Sequence, residues 1–323
     1  MKSFEYATPS TLEEATGLLS DSWGEAEVLA GGTDLVTSLK QRITTPKRVV
    51  SLKKISDLSG IEKDGDTLVI GATTPLIDCL DNSDVKSNFP ALVTAIQEVS
   101  AAQILSVGTV GGDLCQRPRC WYYRNGMGLL AMNDGKSLVE NGENRYHAIF
   151  GNEGAAKFVS ASSLGPALIA LGATMEAAGP NGSRKIAAKD FFHTPGSDDE
   201  RETTLKPNEI LTRIHVPMQG LTNSTYEVRH REGLDWPLVT ATVAFAENGG
   251  KASDGRVVLG HVAPTPWHHE GASKALNGSG TDEEAAAKVG EAAMEGANPL
   301  SDNRYKVHLV KVAVKRAITA AAG

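Results

Sequence analysis

Apolar positions near the start of the chain come in short runs separated by amphipathic stretches. Ser10 followed by Glu13 has the spacing of a capping box, and predicts a helix over Leu12 to Leu19. Val28-Leu29-Ala30 is a short apolar strand that runs directly into Gly31-Gly32-Thr33-Asp34. An amphipathic helix follows from Leu35 to about Gln41, and Arg48-Val49-Val50-Ser51-Leu52 reads as the next strand. Strands alternating with helices predict a small α/β unit with parallel strands.

Further along, a turn at Lys63-Asp64-Gly65-Asp66 precedes the apolar run Leu68 to Ala72. Leu92, Ala95, Ile96 and Val99 lie on one face of a helix from about Pro90 to Val99. A second glycine-rich loop, Gly108-Thr109-Val110-Gly111-Gly112-Asp113, comes next. Residues 116–146 lose all periodicity and read as a long loop, which in a compact domain is usually functional or mobile. A charged, turn-rich stretch from Asp198 to Pro207, with Pro217 and Gly220 after it, predicts a boundary near 217–224. Beyond it come strands near 226–231, 239–246 and 256–262, then helices near 282–294 and 304–320. That order suits a small antiparallel sheet packed on helices.

Composition narrows the function classes. The chain has 323 residues and a net charge of -7, with its cations dispersed. Two domains fit that length. The basic face that nucleic acid or an anionic membrane surface would need is missing. The opening MKSFEYATPS has no apolar core of a signal peptide. The most apolar stretch, Leu164 to Ala173, is interrupted by Gly165, Pro166 and Gly172, so no membrane span is expected. A cytoplasmic protein is the default, and a partner with its own export signal could carry it to the periplasm. Cys79, Cys115 and Cys120 form no disulfide framework and no common zinc spacing, and read as free thiols.

The chemistry concentrates in the two glycine loops. In Leu29-Ala30-Gly31-Gly32-Thr33-Asp34-Leu35 a strand ends in two glycines and opens a helix. Glycines allow positive φ and close approach of backbone amides to a ligand, and clustered amides suit a pyrophosphate. Gly108-Thr109-Val110-Gly111-Gly112-Asp113-Leu114 repeats the GG-Asp-Leu pattern. A plain turn accounts for either loop alone, and neither carries the G-x-G-x-x-G fingerprint of a Rossmann site. Two of them together favour a paired dinucleotide grip.

These two loops, with Thr8-Pro9-Ser10-Thr11-Leu12-Glu13-Glu14-Ala15 and the strand and turn Gly260-His261-Val262-Ala263-Pro264-Thr265-Pro266, resemble the FAD-binding (medium) subunits of the molybdenum hydroxylases. That family includes the xanthine dehydrogenase, carbon monoxide dehydrogenase and aldehyde oxidoreductase flavoproteins. The resemblance covers nearly the whole chain. It implies an α+β fold: a vanillyl-alcohol-oxidase-like FAD domain at 1–218, with subdomains at about 1–55 and 56–218, and a C-terminal domain at 222–323. It implies FAD held in an extended conformation by Val28, Leu29, Ala30, Gly31, Gly32, Thr33, Asp34 and Leu35 and by Gly108, Thr109, Gly111, Gly112 and Asp113. Leu205 sits where an apolar residue flanks the flavin nucleotide. The implied function is a relay, from [2Fe-2S] clusters on a small partner subunit to an external acceptor. The molybdenum cofactor belongs to a large partner subunit of the same hetero-oligomer. No acid, base or nucleophile is expected in this chain. A self-contained flavin oxidoreductase and a non-catalytic flavin scaffold are the alternatives.

The chain departs from the family pattern at three places. Ser163 stands where relatives usually have an aspartate toward the FAD ribose or adenine. Glu227 falls where a lysine is common near the flavin, and either faces it, with Arg229 or Arg231 compensating, or points to solvent. Gln116-Arg117-Pro118-Arg119-Cys120-Trp121-Tyr122-Tyr123-Arg124 resembles a branch that binds a [4Fe-4S] cluster. No cysteine follows Cys120, and Ala156 takes a ligand position, so no such cluster is expected here.

Overall fold

A computed structural model describes every residue except Glu232. The N-terminal unit is a three-stranded parallel sheet in the order Glu5–Ala7, Arg48–Ser51, Ala26–Leu29. Its two helices, Leu12–Gly17 and Leu35–Gln41, join successive strands, as the alternation predicts. The capping box lies one residue later than expected. Thr11 is extended (φ -128°) and its Oγ1 accepts from Glu14 N at 3.1 Å, while the Ser10 amide donates to Glu14 Oε2 at 2.8 Å. Ser-Thr-x-Glu-Glu contains both spacings, and the box forms where the backbone turns.

A five-stranded antiparallel sheet follows, ordered Ile61–Asp64, Thr67–Gly71, Ile210–Pro217, Thr174–Gly179, Gly182–Ala187. Ile214 sits between Ile70 and Met175 in register. All three are fully buried beneath the helices Pro90–Gln97 and Leu164–Ala170. The latter helix is buried along its entire length, which explains why its sequence reads as uniformly apolar.

Thr222–Val228, Val239–Asn248, Lys251–Gly260 and Trp267–His268 form a second antiparallel sheet. Its inner strand Val239–Asn248 is buried on both faces. Ala241, Val243 and Phe245 meet the helices Glu283–Ala292 and Tyr305–Ala321, while Ala244 joins the core of the first sheet. Asn223 locks the two sheets together by accepting from Ala91 N (2.9 Å) and donating to Asn88 O (3.1 Å) at the start of the Pro90–Gln97 helix. A helix at Glu270–Leu276 escapes the sequence reading, because its N-cap is His269, an uncommon capping residue.

The long loop is pinned by polar contacts to the C-terminal part. Asn144 Nδ2 donates to Ser301 Oγ and Asn144 Oδ1 accepts from the Asp302 amide (both 2.9 Å), and just past the loop Asn303 Nδ2 donates to His147 O (3.1 Å). It contains one short helix, Trp121–Arg124, and a hairpin of two-residue strands. Among the described residues no helix is long and apolar enough to cross a membrane.

Candidate functional site

The strand Ala26–Leu29 delivers the chain into the first glycine turn, and Gly32 takes φ +82°, a backbone that only glycine adopts without strain. Among the described residues, the amides of Gly31, Gly32, Thr33 and Asp34 find no protein acceptor. Four consecutive unspent donors on one turn form an anion nest. They border a cleft also lined by Val28, Ala30, Leu35, Thr109, Gly111 and Leu205. Leu29 does not line it. Strand alternation turns this side chain beneath Gly32, where a Cβ would lie 3.0 Å from Leu29 Cδ1.

The second loop differs from the first. It winds into a short helix, Val110–Leu114, capped by Thr109, whose Oγ1 accepts from Gly112 N at 3.0 Å. Val110 N donates to Thr74 O (3.0 Å) and Gly111 N to Ala72 O (2.8 Å), so these amides are spent internally. The loop contributes a thin wall instead. A Cβ on Gly111 would lie 2.8 Å from Ala72 O, and one on Gly31 would lie 2.9 Å from the Val107 carbonyl carbon. The two loops therefore touch backbone to backbone, and glycine at position 31 is what permits it. The expected paired grip is asymmetric: one loop donates and the other closes the wall.

The carboxylates of the two loop aspartates, both of which border the clefts, are engaged by protein partners. Asp34 accepts from Arg117 N (2.9 Å) and pairs with Arg124 (2.9 Å) and Arg119 (3.2 Å). Asp113 borders a second cleft, yet its carboxylate is taken by Ser162 Oγ (2.6 Å), Leu164 N (3.0 Å) and Gln116 Nε2 (3.0 Å). Burial pushes Asp113 up from the ordinary carboxylate value, and those hydrogen bonds oppose the shift. It braces the start of the Leu164–Ala170 helix.

The second cleft continues from the first through Thr33, Asp34, Thr109 and Gly112. Gly108 and Ser163 line it, with Glu98, Ile104 and Trp236, which carry no motif in the sequence. At the far end of the first cleft, Arg201 stacks over Trp23 at 4.8 Å, and Arg117 pairs with Glu202 at 2.9 Å. Sequence reading flags Arg117 only as part of an arginine and aromatic cluster, and has no signal for Trp23.

Glu227 lines neither cleft and does not face solvent. Its side chain is 1% exposed and pairs with Arg229 at 2.8 Å, which in turn binds the Glu98 carboxylate. Burial pushes Glu227 up to about 7, and the Arg229 guanidinium opposes the rise. Arg229 is thus the compensating cation. Arg231 is exposed and turned to Asp235 at 3.5 Å. Cys79 is buried, and Cys120 Sγ lies 3.2 Å from His147 Nε2, beside Tyr123, Ala156 and Phe158. Among the described residues no group of three or more His, Cys, Asp or Glu side chains is placed to hold a metal ion.

A cleft walled by two glycine loops and bordered by free backbone amides, carried on a mixed helix and sheet scaffold, defines a protein built to hold an anionic ligand such as a nucleotide. Residues 2–219 match the family model for the FAD binding domain in molybdopterin dehydrogenase, and residues 224–321 match the CO dehydrogenase flavoprotein C-terminal domain. The chain belongs to the FAD-binding medium subunits of the molybdenum hydroxylases, the flavoprotein subunits of oxidoreductases. The carbon monoxide dehydrogenase medium chain of Hydrogenophaga pseudoflava is 30% identical, over 98% of this chain and 96% of its own. The aldehyde oxidoreductase FAD-binding subunit PaoB of Escherichia coli is also 30% identical, over 96% of each. In the structure of the H. pseudoflava carbon monoxide dehydrogenase lacking the Mo-pyranopterin moiety, the matching chain gives a TM-score of 0.78. It is 28% identical and the match covers 99% of this chain and 98% of that one. Quinoline 2-oxidoreductase from Pseudomonas putida 86 gives 0.78 at 26% identity, covering 100% and 98%.

Proposed function

We propose that this chain holds FAD along the two continuous clefts and relays electrons within a molybdenum hydroxylase. The observation that carries the reading is the row of unspent amides at Gly31, Gly32, Thr33 and Asp34, residues that line the first cleft and, at Thr33 and Asp34, the second as well. Those donors suit the negative charge of a pyrophosphate. Val28, Ala30, Leu35 and Leu205 give the first cleft apolar walls, and Thr109, Gly111 and Gly112 close the opposite side. Gly108 and Ser163 face the second cleft. Asp113 borders the second cleft with its carboxylate tied back to Ser162 and Leu164, and Leu29 and Glu227 stand behind the walls. An extended dinucleotide fits this layout, as in a vanillyl-alcohol-oxidase-like pair of subdomains at about 1–55 and 56–218, with a C-terminal domain from 222.

When bound, the flavin supplies the interchange between one-electron and two-electron transfer. The chain's own work is to bind, orient and seal. The Glu98–Arg229–Glu227 cluster fixes charge behind the second cleft, where Glu98 forms part of the wall. The reading includes a large molybdenum-cofactor subunit and a small [2Fe-2S] subunit as partners. It includes no [4Fe-4S] cluster in this chain, since such a cluster takes four cysteine thiolates and the chain has three, with Cys79 buried in a different core from Cys120.

The test is anaerobic reduction followed at the flavin absorption band. The isolated chain loaded with FAD should stay oxidised with small aldehyde or purine substrates, and become reduced once the iron–sulfur and molybdenum subunits are added. Rapid reduction of the isolated chain by such a substrate would contradict the relay.

A further inference from the structure

The arginine-rich segment Gln116 to Arg124 reaches across the protein to the turn whose amides are free. Arg124, with a side chain 13% exposed, is its hub. Its Nη2 donates to Asp34 Oδ1 and to Arg117 O (both 2.9 Å), its Nη1 to Ser38 Oγ (2.9 Å) and its Nε to Pro118 O (2.7 Å). One guanidinium thus ties together the 31–34 turn, the helix Leu35–Gln41 that follows it and the segment itself. A planar fork meets acceptors in these separate directions, whereas a lysine ammonium is a single point of charge.

Asp34 is held from other sides as well. Its Oδ2 accepts from Arg117 N at 2.9 Å, and Arg119 Nη1 lies 3.2 Å from its Oδ1. Arg119 Nη2 donates to Gln116 Oε1 (2.7 Å), and Gln116 Nε2 donates to Asp113 Oδ2 (3.0 Å). The aspartates of the two glycine loops are therefore the two ends of one polar strap. The strap runs where the clefts meet, since Asp34 and Gln116 border both. That accounts for the repeated GG-Asp pattern, which a nest of amides does not itself need. A bare carboxylate in the same turn would repel an anion held on those amides. The Arg124 and Arg119 guanidinium groups offset that charge.

On the FAD reading above, we infer that Arg124 is a positioning residue for the pyrophosphate, fixing the 31–34 turn and masking the Asp34 carboxylate beside it. Were Arg124 only a brace, losing Asp34 as well would leave binding no better. Here the reverse holds: once Arg124 is gone, the uncovered Asp34 charge is the obstacle, and its removal restores binding.

FAD affinity of the full chain is measured by quenching of flavin fluorescence. Wild type is compared with Arg124→Gln, with Arg124→Lys, and with the double variant that combines Asp34→Asn and Arg124→Gln. Thermal melts establish that each is folded. Arg124→Gln should bind FAD about 10–150-fold more weakly, the range for losing one charged hydrogen bond. Arg124→Lys keeps the charge without the fork and should bind about 3–10-fold more weakly. It also covers the case in which Arg124→Gln fails to fold. The double variant should bind FAD at least about threefold more tightly than Arg124→Gln. Wild-type affinity in folded Arg124→Gln or Arg124→Lys overturns the inference, and so does a folded double variant that binds no better than Arg124→Gln. Failure of the wild type to bind FAD at all would instead overturn the FAD reading, and this inference with it.

Discussion

Replacing Gly31 by alanine tests the packing of the two glycine loops on one another. The added Cβ would sit 2.9 Å from the Val107 carbonyl carbon and 3.1 Å from Gly108 Cα, and closer still to the Val107 oxygen. Carbon atoms in comfortable contact lie about 3.5–4.0 Å apart. Both obstacles are backbone, so no side chain can swing away. The loops must separate or the 31–34 turn must rotate, and overpacking of this kind costs about 1–3 kcal/mol. Rotation also moves the four free amides. Losing one charged hydrogen bond of about 1.5–3 kcal/mol weakens FAD by about 10–150-fold. Gly17→Ala is the control, because nothing lies within 4 Å of its Cβ position and its φ is not left-handed. FAD affinity would be measured by quenching of flavin fluorescence, and stability by a thermal melt of the apo chain. The account expects Gly31→Ala to bind FAD at least about tenfold more weakly and to melt a few degrees lower, with Gly17→Ala unchanged in binding. Wild-type affinity and melting temperature in Gly31→Ala would refute the loop-on-loop packing.

Asp113→Ala strands the Ser162 hydroxyl and the Leu164 amide, and should lower stability by about 2–4 kcal/mol in urea unfolding. Glu227 should make the chain less stable as pH rises from about 4.5 to about 7, because its folded value is raised and the native state binds the proton more tightly across that window. Melts of wild type and Glu227→Gln between pH 4.5 and 8 check this, and the variant should lack that part of the slope. Iron and sulfide analysis of the purified chain should give neither in stoichiometric amount, whereas about four of each per chain would restore the cluster.

Periodicity captured the parts of the fold whose side chains face one way. The helix Leu35–Gln41 and the strand Arg48–Ser51 show their partners in their spacing, and the parallel sheet follows from their alternation. The Val110–Leu114 helix was hidden because Gly111 and Gly112 argue against any helix. It forms because Thr109 caps it and Ala72 and Thr74 take its amides. The candidate cleft was legible where backbone chemistry shapes it, in Gly31, Gly32 and Gly111. It was not legible where tertiary pairing decides direction. Asp34 and Asp113 look alike in sequence, and arginines claim one while a helix start claims the other. Nothing local to Glu227 shows that Arg229 and Glu98 bury it. Segment 116–146 has no period because long-range polar contacts order it, among them Asn144 to Ser301 and the Asp302 amide.

The central claim is that the two clefts together are an FAD site. Purified chain, reconstituted with an equimolar mixture of FAD and FMN, is desalted, denatured and its released small molecules are chromatographed. The account predicts stoichiometric FAD with little FMN, since the turn at 31–34 with its free amides lines the first cleft, joins the second at Thr33 and Asp34, and has a pyrophosphate to hold only in the dinucleotide. Release of no flavin, or of FMN in equal amount, would contradict it.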